Sequence, residues 1–237
     1  MNDPIEATLA AQALIKQSID RPFVCLSYAQ SLDGSIAARQ GTSYPISGPE
    51  SLVMTHQLRA AHDTILIGVD TALADDPQLT VRLANGRDPA AVILDSELRL
   101  PGNSRLLTAS RPTLIFCSEA IVNSRASRFK ASHTSIYPVR KDGSGFLDLD
   151  VILGELWSIG YRSVMVEGGA RVITNFLQAQ VVDWLVLTIA PTLLGGLRIP
   201  ITDPESGSWQ PVGLDIKGSA TYGNDWVIWG QPDWESQ

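Results

Sequence analysis

The chain has 237 residues, 44% of them hydrophobic and 18% charged, with 19 glycines, 14 prolines and two cysteines. That composition excludes a collagen, a coiled coil, a disulfide scaffold and a chain disordered throughout, and the length suffices for a buried core. A net charge of −7 and a pI near 4.9 give no global attraction to nucleic acid or to an anionic membrane, so an anionic ligand must be met by local groups.

The first stretch, MNDPIEATLAAQALIKQS, predicts a helix over 5–17 within an N-terminal extension, residues 1–21. Glu6, Gln12 and Lys16 interrupt its apolar run well short of the ~20 residues that span a bilayer, so the expected location is the cytoplasm. Residues 22–237 read as one domain. Strands are predicted at 23–29, 64–68, 91–95, 113–117, 134–139, 163–168, 184–190 and 225–230, most of them apolar on both faces, as suits a sheet covered on both sides. Between them, helices are predicted at 49–61, 148–160 and 170–180. The first of these has Ser47 or Gly48 as cap, Pro49 at the first helical position, and Leu52, His56 and Arg59 on one face. Asp75-Asp76-Pro77 ends a short helix, and the turn-rich stretch 195–224 reads as loops and a hairpin around late antiparallel strands. The alternation is that of an α/β fold. Cys25 and Cys117 lie inside apolar strands and read as buried free thiols. His56, His62 and His133 lack H-x-E or C-x-x-C companions, so no metal site is expected.

Three places carry candidate chemistry. In SVMVEGGARVITNFLQ an apolar strand ends at Glu167, Gly168 and Gly169 turn the chain, and a helix starts whose free N–H groups suit phosphate oxygens; a turn that simply needs glycine is the competing reading. Glu167 stands at the strand end where ligands of open α/β sheets collect. Asp33-Gly34 is a turn signal. Arg59 and Arg82 flank the strand at 64–68 and either converge on a phosphate or serve as surface ion-pair partners.

In combination, SYAQSLDGSIA (27–37), the stretch from SGPES to LTVR (47–82), VILDSELRLP (92–101) and the stretch from VEGGA to LLGG (166–196) resemble the reductase domain of riboflavin biosynthesis. This family includes the C-terminal half of bacterial bifunctional deaminase-reductases and the stand-alone fungal and archaeal pyrimidine reductases. The resemblance implies a dihydrofolate-reductase-like, three-layer α/β/α fold with a mixed, mainly parallel central sheet, assembled as a homodimer. It implies NADPH-dependent reduction of the ribose of a ribosylamino-pyrimidine 5′-phosphate to ribityl, by hydride delivery to C1′. Carried over by position, Ala29, Thr71, Asp75, Ser96, Gly169, Ala170, Arg171, Val172, Ile173, Thr174 and Asn175 hold the cofactor. Ser43, Arg59, Leu79, Arg82 and Glu167 hold the phosphorylated substrate. Glu167 accepts hydrogen bonds from the pyrimidine, and Asp33 is a candidate for proton movement, with a structural turn as its alternative.

Two departures stand out. Ser27-Tyr28 stands where many bifunctional enzymes place a lysine, and Pro45 where a tryptophan is frequent, with Tyr44 beside it. The SYAQSLDG and SGPES wording leans to the stand-alone enzymes, and the deaminase half with its H-x-E and P-C-x-x-C ligands is absent from these residues. Two alternatives are a related NADPH reductase with another substrate and a non-catalytic nucleotide-binding relative. Trp209, Trp226, Trp229 and Trp234 read either as strand packing or as an aromatic binding surface.

Overall fold

The computed structural model describes residues 3–15, 20–39, 41–42, 44–129, 133–199 and 212–234. In chain order its strands are β1 (Phe23–Ser31), β2 (Ser35–Ala37), β3 (Thr64–Gly68), β4 (Ala90–Leu94), β5 (Thr113–Ser118), β6 (Thr134–Val139), β7 (Ser163–Val166), β8 (Trp184–Ala190), β9 (Leu197–Arg198), β10 (Gly213–Tyr222) and β11 (Asp225–Asp233). Nine of them form one sheet in the order β10-β11-β8-β1-β7-β3-β4-β5-β6, and β2 pairs with β9 in a separate antiparallel ribbon. From β8 to β6 every neighbour is parallel; only β11 on β8 and β10 on β11 run antiparallel. The sheet is therefore mixed and mainly parallel, as expected.

The strands are apolar on both faces because both faces are covered. Leu26, Leu66, Val92, Phe116 and Val166 point to a layer containing α6 (Leu149–Ser158) and α7 (Ala170–Gln178). The alternate residues Ile65, Ile67, Ile93 and Ile115 pack with Ala72, Leu98 and Leu106. Further along that face Phe23, Cys25, Met165, Trp184 and Trp229 meet Met54 and Leu58 of α2 (Pro49–Ala60) and Ala7 and Ala11 of α1 (Pro4–Ile15). The N-terminal helix thus shares the body's core. Residues 16 and 17 of its expected range lie outside the described residues.

Three short helices escape a periodicity argument: α3 (Val69–Asp75), α4 (Arg105–Thr108) and α5 (Glu119–Arg125). Each is too brief to show two turns of pattern. β10 belongs to the expected hairpin and is mostly exposed or half-exposed along its length. The tryptophans do not act as one group: Trp229 is fully buried, Trp234 donates from Nε1 to the Val182 carbonyl at 3.3 Å, Trp226 is 49% exposed, and Trp209 lies outside the described residues.

One long-range contact sets the site. Gly48 is the N-cap of α2 and Pro49 its first residue, but no capping side chain comes from the neighbouring sequence. Instead Asp225, at the start of β11, accepts from the Gly48 amide at 2.7 Å and from the Ser51 hydroxyl. A carboxylate there satisfies free donors and complements the positive end of the helix. It fixes α2, and with it His56 and Arg59.

Candidate active site

A cleft of about 760 Å³ opens at the carboxyl ends of β1, β3, β4 and β7, the edge where open α/β sheets bind ligands. Ala29, Thr71, Asp75, Ser96, Gly169, Ala170, Arg171, Val172, Ile173 and Asn175 all line it. Thr174 does not; its hydroxyl turns back to the Ala170 carbonyl at 2.8 Å.

The wall at α7 is built on glycine. A Cβ on Gly168 would lie 2.4 Å from the Val172 Cβ, and one on Gly169 would lie 2.8 Å from the Thr71 hydroxyl oxygen. Only glycine therefore lets the start of α7 close onto the strand ends. Gly169 caps α7 without a side-chain acceptor, so the first-turn N–H groups stay available. Uncapped donors at a helix start beside a cleft of this volume fit the pyrophosphate of a dinucleotide cofactor. Arg99 and Arg171 line the same cleft and flank Asp70, at 2.5 and 3.7 Å from its carboxylate oxygens.

Glu167 follows β7, with its amide donating to the Leu66 carbonyl at 3.0 Å. Its carboxylate is held by Arg59 in a two-pronged pair, Nε to Oε1 and Nη2 to Oε2, both at 2.7 Å. The remaining prong, Nη1, donates to the Thr80 carbonyl at 3.2 Å. Burial works against the guanidinium charge, but the Glu167 carboxylate more than offsets it and holds Arg59 above its ordinary value. Each carboxylate oxygen keeps a second lone pair, so Glu167 can still accept from a ligand N–H.

A smaller cavity of about 290 Å³ shares Arg59 and Asp75 with the cleft and is completed by Pro77, Gln78, Leu79, Arg82 and Arg105. Among the described residues the Arg82 and Arg105 side chains make no ion pair. The loop between α3 and β4 that carries Leu79 and Arg82 has little regular structure, and side chains satisfy its backbone. Nδ1 of His56 accepts from the Arg82 amide at 3.0 Å, and Asp88 accepts from the Val81 amide at 2.6 Å. His56 is fully buried; burial, and then the Arg59 and Arg82 charges, push its pKa down to about 4, so it is neutral and keeps Nδ1 as an acceptor.

Asp33 lines neither cavity. Its carboxylate accepts from the Ser31 and Ser35 hydroxyls at 2.5 and 3.0 Å and from the Leu194 and Gly195 amides at 2.9 and 2.8 Å. The Leu194 N–H foremost, then the Ser31 hydroxyl, hold it well below the usual carboxylate range, so it is a fixed anion tying the turn after β1 to the loop before β9. A proton carrier needs the opposite tuning, and the structure supports the turn rather than the proton role. The β2–β9 ribbon that Asp33 secures contributes Ile36, Ala37 and Leu197 to the cleft wall. Ser43 lies outside the described residues. Its neighbours Tyr44 and Pro45 line the cleft, with Tyr44 45% exposed at its rim. Tyr28 also lines the cleft; burial pushes its phenol up to about 12, so it is a neutral hydrogen-bond donor at physiological pH. Cys25 and Cys117 are buried and free, with burial raising both thiols, Cys117 to about 11.

Sequence reading missed Arg99 and Arg105. Both come from the loop-rich segment after β4: Arg99 stands in the stretch VILDSELRLP without a role assigned to it, Arg105 lies beyond that stretch, and only the closed fold brings them to a cavity.

Comparison with known proteins accounts for this arrangement. The family described as the RibD C-terminal domain matches residues 22–228. The 2,5-diamino-6-ribosylamino-4(3H)-pyrimidinone 5′-phosphate reductase of Methanothermobacter thermautotrophicus is 35% identical over 214 residues, covering 88% of this chain and 97% of that protein. Among solved structures, the riboflavin biosynthesis reductase Rib7 of Saccharomyces cerevisiae superposes with a TM-score of 0.72 at 28% identity, over 91% of this chain and 92% of that one. A diaminohydroxyphosphoribosylaminopyrimidine deaminase/5-amino-6-(5-phosphoribosylamino)uracil reductase of Thermotoga maritima gives 0.75 at 28% identity, over 95% of this chain and 60% of that longer one. With a match over nearly the whole described sheet and the glycine-led helix start and arginine-lined cavity in place, the chain belongs to the RibD C-terminal domain family.

Proposed function

We propose that the protein reduces the ribose of a ribosylamino-pyrimidine 5′-phosphate to ribityl with NADPH, in riboflavin biosynthesis, and that the diamino-pyrimidinone is the preferred base. The observation that carries this reading is the junction of the two cavities at Arg59 and Asp75: a cleft of cofactor size meets a small pocket where Arg82 and Arg105 make no ion pair among the described residues. The preference for the diamino base rests on near full-length similarity to a reductase so named.

The N–H groups at the start of α7, with Thr71 and Ser96, would hold the cofactor. Arg99 and Arg171 supply cationic groups suited to the extra phosphate that distinguishes NADPH from NADH. When bound, the nicotinamide supplies the hydride that the open-chain imine at C1′ accepts. The chain's own tasks are alignment, charge matching and exclusion of water. Arg82 and Arg105 neutralise the 5′-phosphate. Glu167, oriented by Arg59, accepts from pyrimidine amino or ring N–H groups, and the protonated Tyr28 phenol offers a donor in the cleft.

Cytoplasmic location and a homodimer belong to the same reading. No helix among the described residues is long and apolar enough to cross a membrane, and the exposed Ile216 and Trp226 on the edge hairpin suit a subunit contact. Light scattering on the purified protein tests the dimer. For the reaction, NADPH oxidation is followed by absorbance with the diamino-pyrimidinone and the deaminated uracil substrates side by side. Faster turnover of the former is expected; no oxidation with either, by folded protein, overturns the assignment.

A further inference from the structure

Arg111 sits one residue before the proline that leads into β5, only 6% exposed. Among the described residues it forms no ion pair. Its donors go to three main-chain carbonyls: Nη1 to Leu79 at 2.7 Å and Pro89 at 3.0 Å, Nη2 to Gln78 at 2.5 Å, while Nε has no partner. All three acceptors belong to the loop that carries Arg82, and two of them line the smaller cavity. Leu79 has φ 53°, a left-handed conformation that a leucine does not adopt unaided. A planar guanidinium with donors in a fixed fork can hold several carbonyls at once, which a lysine ammonium cannot reproduce.

A buried cation without a carboxylate is costly, and a protein that needed only a loop clamp could use a neutral donor. The charge gains meaning from its neighbours. Arg111 holds the carbonyls of Gln78 and Leu79 from behind a cavity that they line together with Arg59, Arg82 and Arg105. Arg59 is paired with Glu167, whereas Arg82 and Arg105 make no ion pair among the described residues. Arg59 lies close enough to add to the burial that keeps Arg111 below the ordinary arginine value, against a partial offset from Asp88. His56 and Asp88 grip the amides of the loop and Arg111 grips its carbonyls, so the two sets act on different backbone groups.

We infer that Arg111 is a positioning residue for the phosphate end of the substrate, holding Gln78 and Leu79 in place and adding buried positive charge behind the pocket of Arg82 and Arg105. This rests on the assignment of that pocket to phosphate made above. The test uses the full chain and the variants Arg111→Lys and Arg111→Met. Thermal stabilisation by inorganic phosphate is titrated at constant ionic strength, and the substrate KM, kcat and the NADPH Kd are measured alongside. Arg111→Met is expected to weaken phosphate binding and raise the substrate KM about tenfold, the scale of one lost charge-assisted contact network. Arg111→Lys should show a smaller loss, because it restores charge without the fork. In both, kcat and the NADPH Kd should stay unchanged.

Wild-type phosphate affinity in Arg111→Met, or NADPH binding weakened by the same factor as phosphate, overturns the inference, the second because it marks general loosening. If Arg111→Met does not fold, Arg111→Lys decides: undiminished phosphate binding overturns it. The phosphate titration needs no pyrimidine. Wild-type protein that binds phosphate but reduces neither pyrimidine removes the substrate reading and leaves the Arg111 role, whereas wild-type protein that gains nothing from phosphate removes that role.

Discussion

Replacing Glu167 by glutamine keeps its volume and one carbonyl acceptor but sets an amide NH2 against the N–H groups of Arg59. The wild-type pair has two bonds of 2.7 Å, and the Arg59 and Glu167 side chains are only 10% and 15% exposed. Breaking a fully buried pair by removing one partner costs about 3–5 kcal/mol, and an exposed pair contributes about 0.2–1 kcal/mol. Allowing for the residual solvent access, the expected loss is about 2–3 kcal/mol. For a chain of this size that is a fall in Tm of roughly 4–12 °C, at about 2–4 °C per kcal/mol. The clean measurement is a double-mutant cycle of Glu167→Gln and Arg59→Met in urea, because Arg59 also donates to Thr80 and its single variant loses that bond as well. A coupling energy of about 1.5 kcal/mol or more is expected. Coupling below ~0.5 kcal/mol, the scatter of independent sites, would show that the two side chains do not meet in solution as they do here.

Three further outcomes follow from the geometry. Gly168→Ala drives a Cβ against Val172, which overpacking puts at about 1–3 kcal/mol of stability, and it should loosen NADPH with little change in phosphate binding; unaltered NADPH affinity in calorimetry contradicts the packing role. His56 has a folded pKa near 4 against 6.5 for the free side chain, so between those values the unfolded chain binds more protons and stability falls as pH drops from 6.5 to 4. The contribution of this one group has a slope of at most ~1.4 kcal/mol per pH unit, and His56→Gln should flatten the urea midpoint across that window. Asp33→Ala should speed hydrogen exchange at the Leu194 and Gly195 amides while leaving the shape of the pH–rate profile intact; loss of a limb of that profile would restore Asp33 as a proton carrier.

Most of the sheet was legible because its strands are short, apolar on both faces and separated by turn signals; all eight predicted strands are present, with shifts at their ends. β10 was less distinct because the edge strand GLDIKGSATY is exposed and carries two glycines, so burial imposes no run on it. α3 and α4 are held by tertiary contacts rather than by their own pattern: the Asp76 carboxylate accepts from the Ser104 hydroxyl and the Arg105 amide, linking the end of one to the start of the other. In the site, the glycine-led turn into α7 was visible because the glycine pair stands in the sequence between an apolar strand and a helix, although the crowding by Val172 and Thr71 that requires glycine shows only in the fold. The union of Arg59 with Glu167 was not, since the partners stand 108 residues apart and either arginine or carboxylate alone suits many surface roles. For the same reason the sequence left Asp33 open between a turn and a proton role: nothing local announces the two amides that arrive from residues 194 and 195.

The aspartate that begins β11 links that strand to the helix bearing Arg59, across 177 residues of chain. During synthesis α2 emerges early, yet its first turn waits for Asp225, and the central strand β1 waits for both of its neighbours, β7 and β8. Contacts of such separation form slowly, because a long loop must close before they are made. Assembly of the binding groove is thereby tied to β11: a chain cut short before residue 225 would carry Arg59, Arg82, Arg99 and Arg105 while lacking the anchor that fixes the helix bearing the first of them.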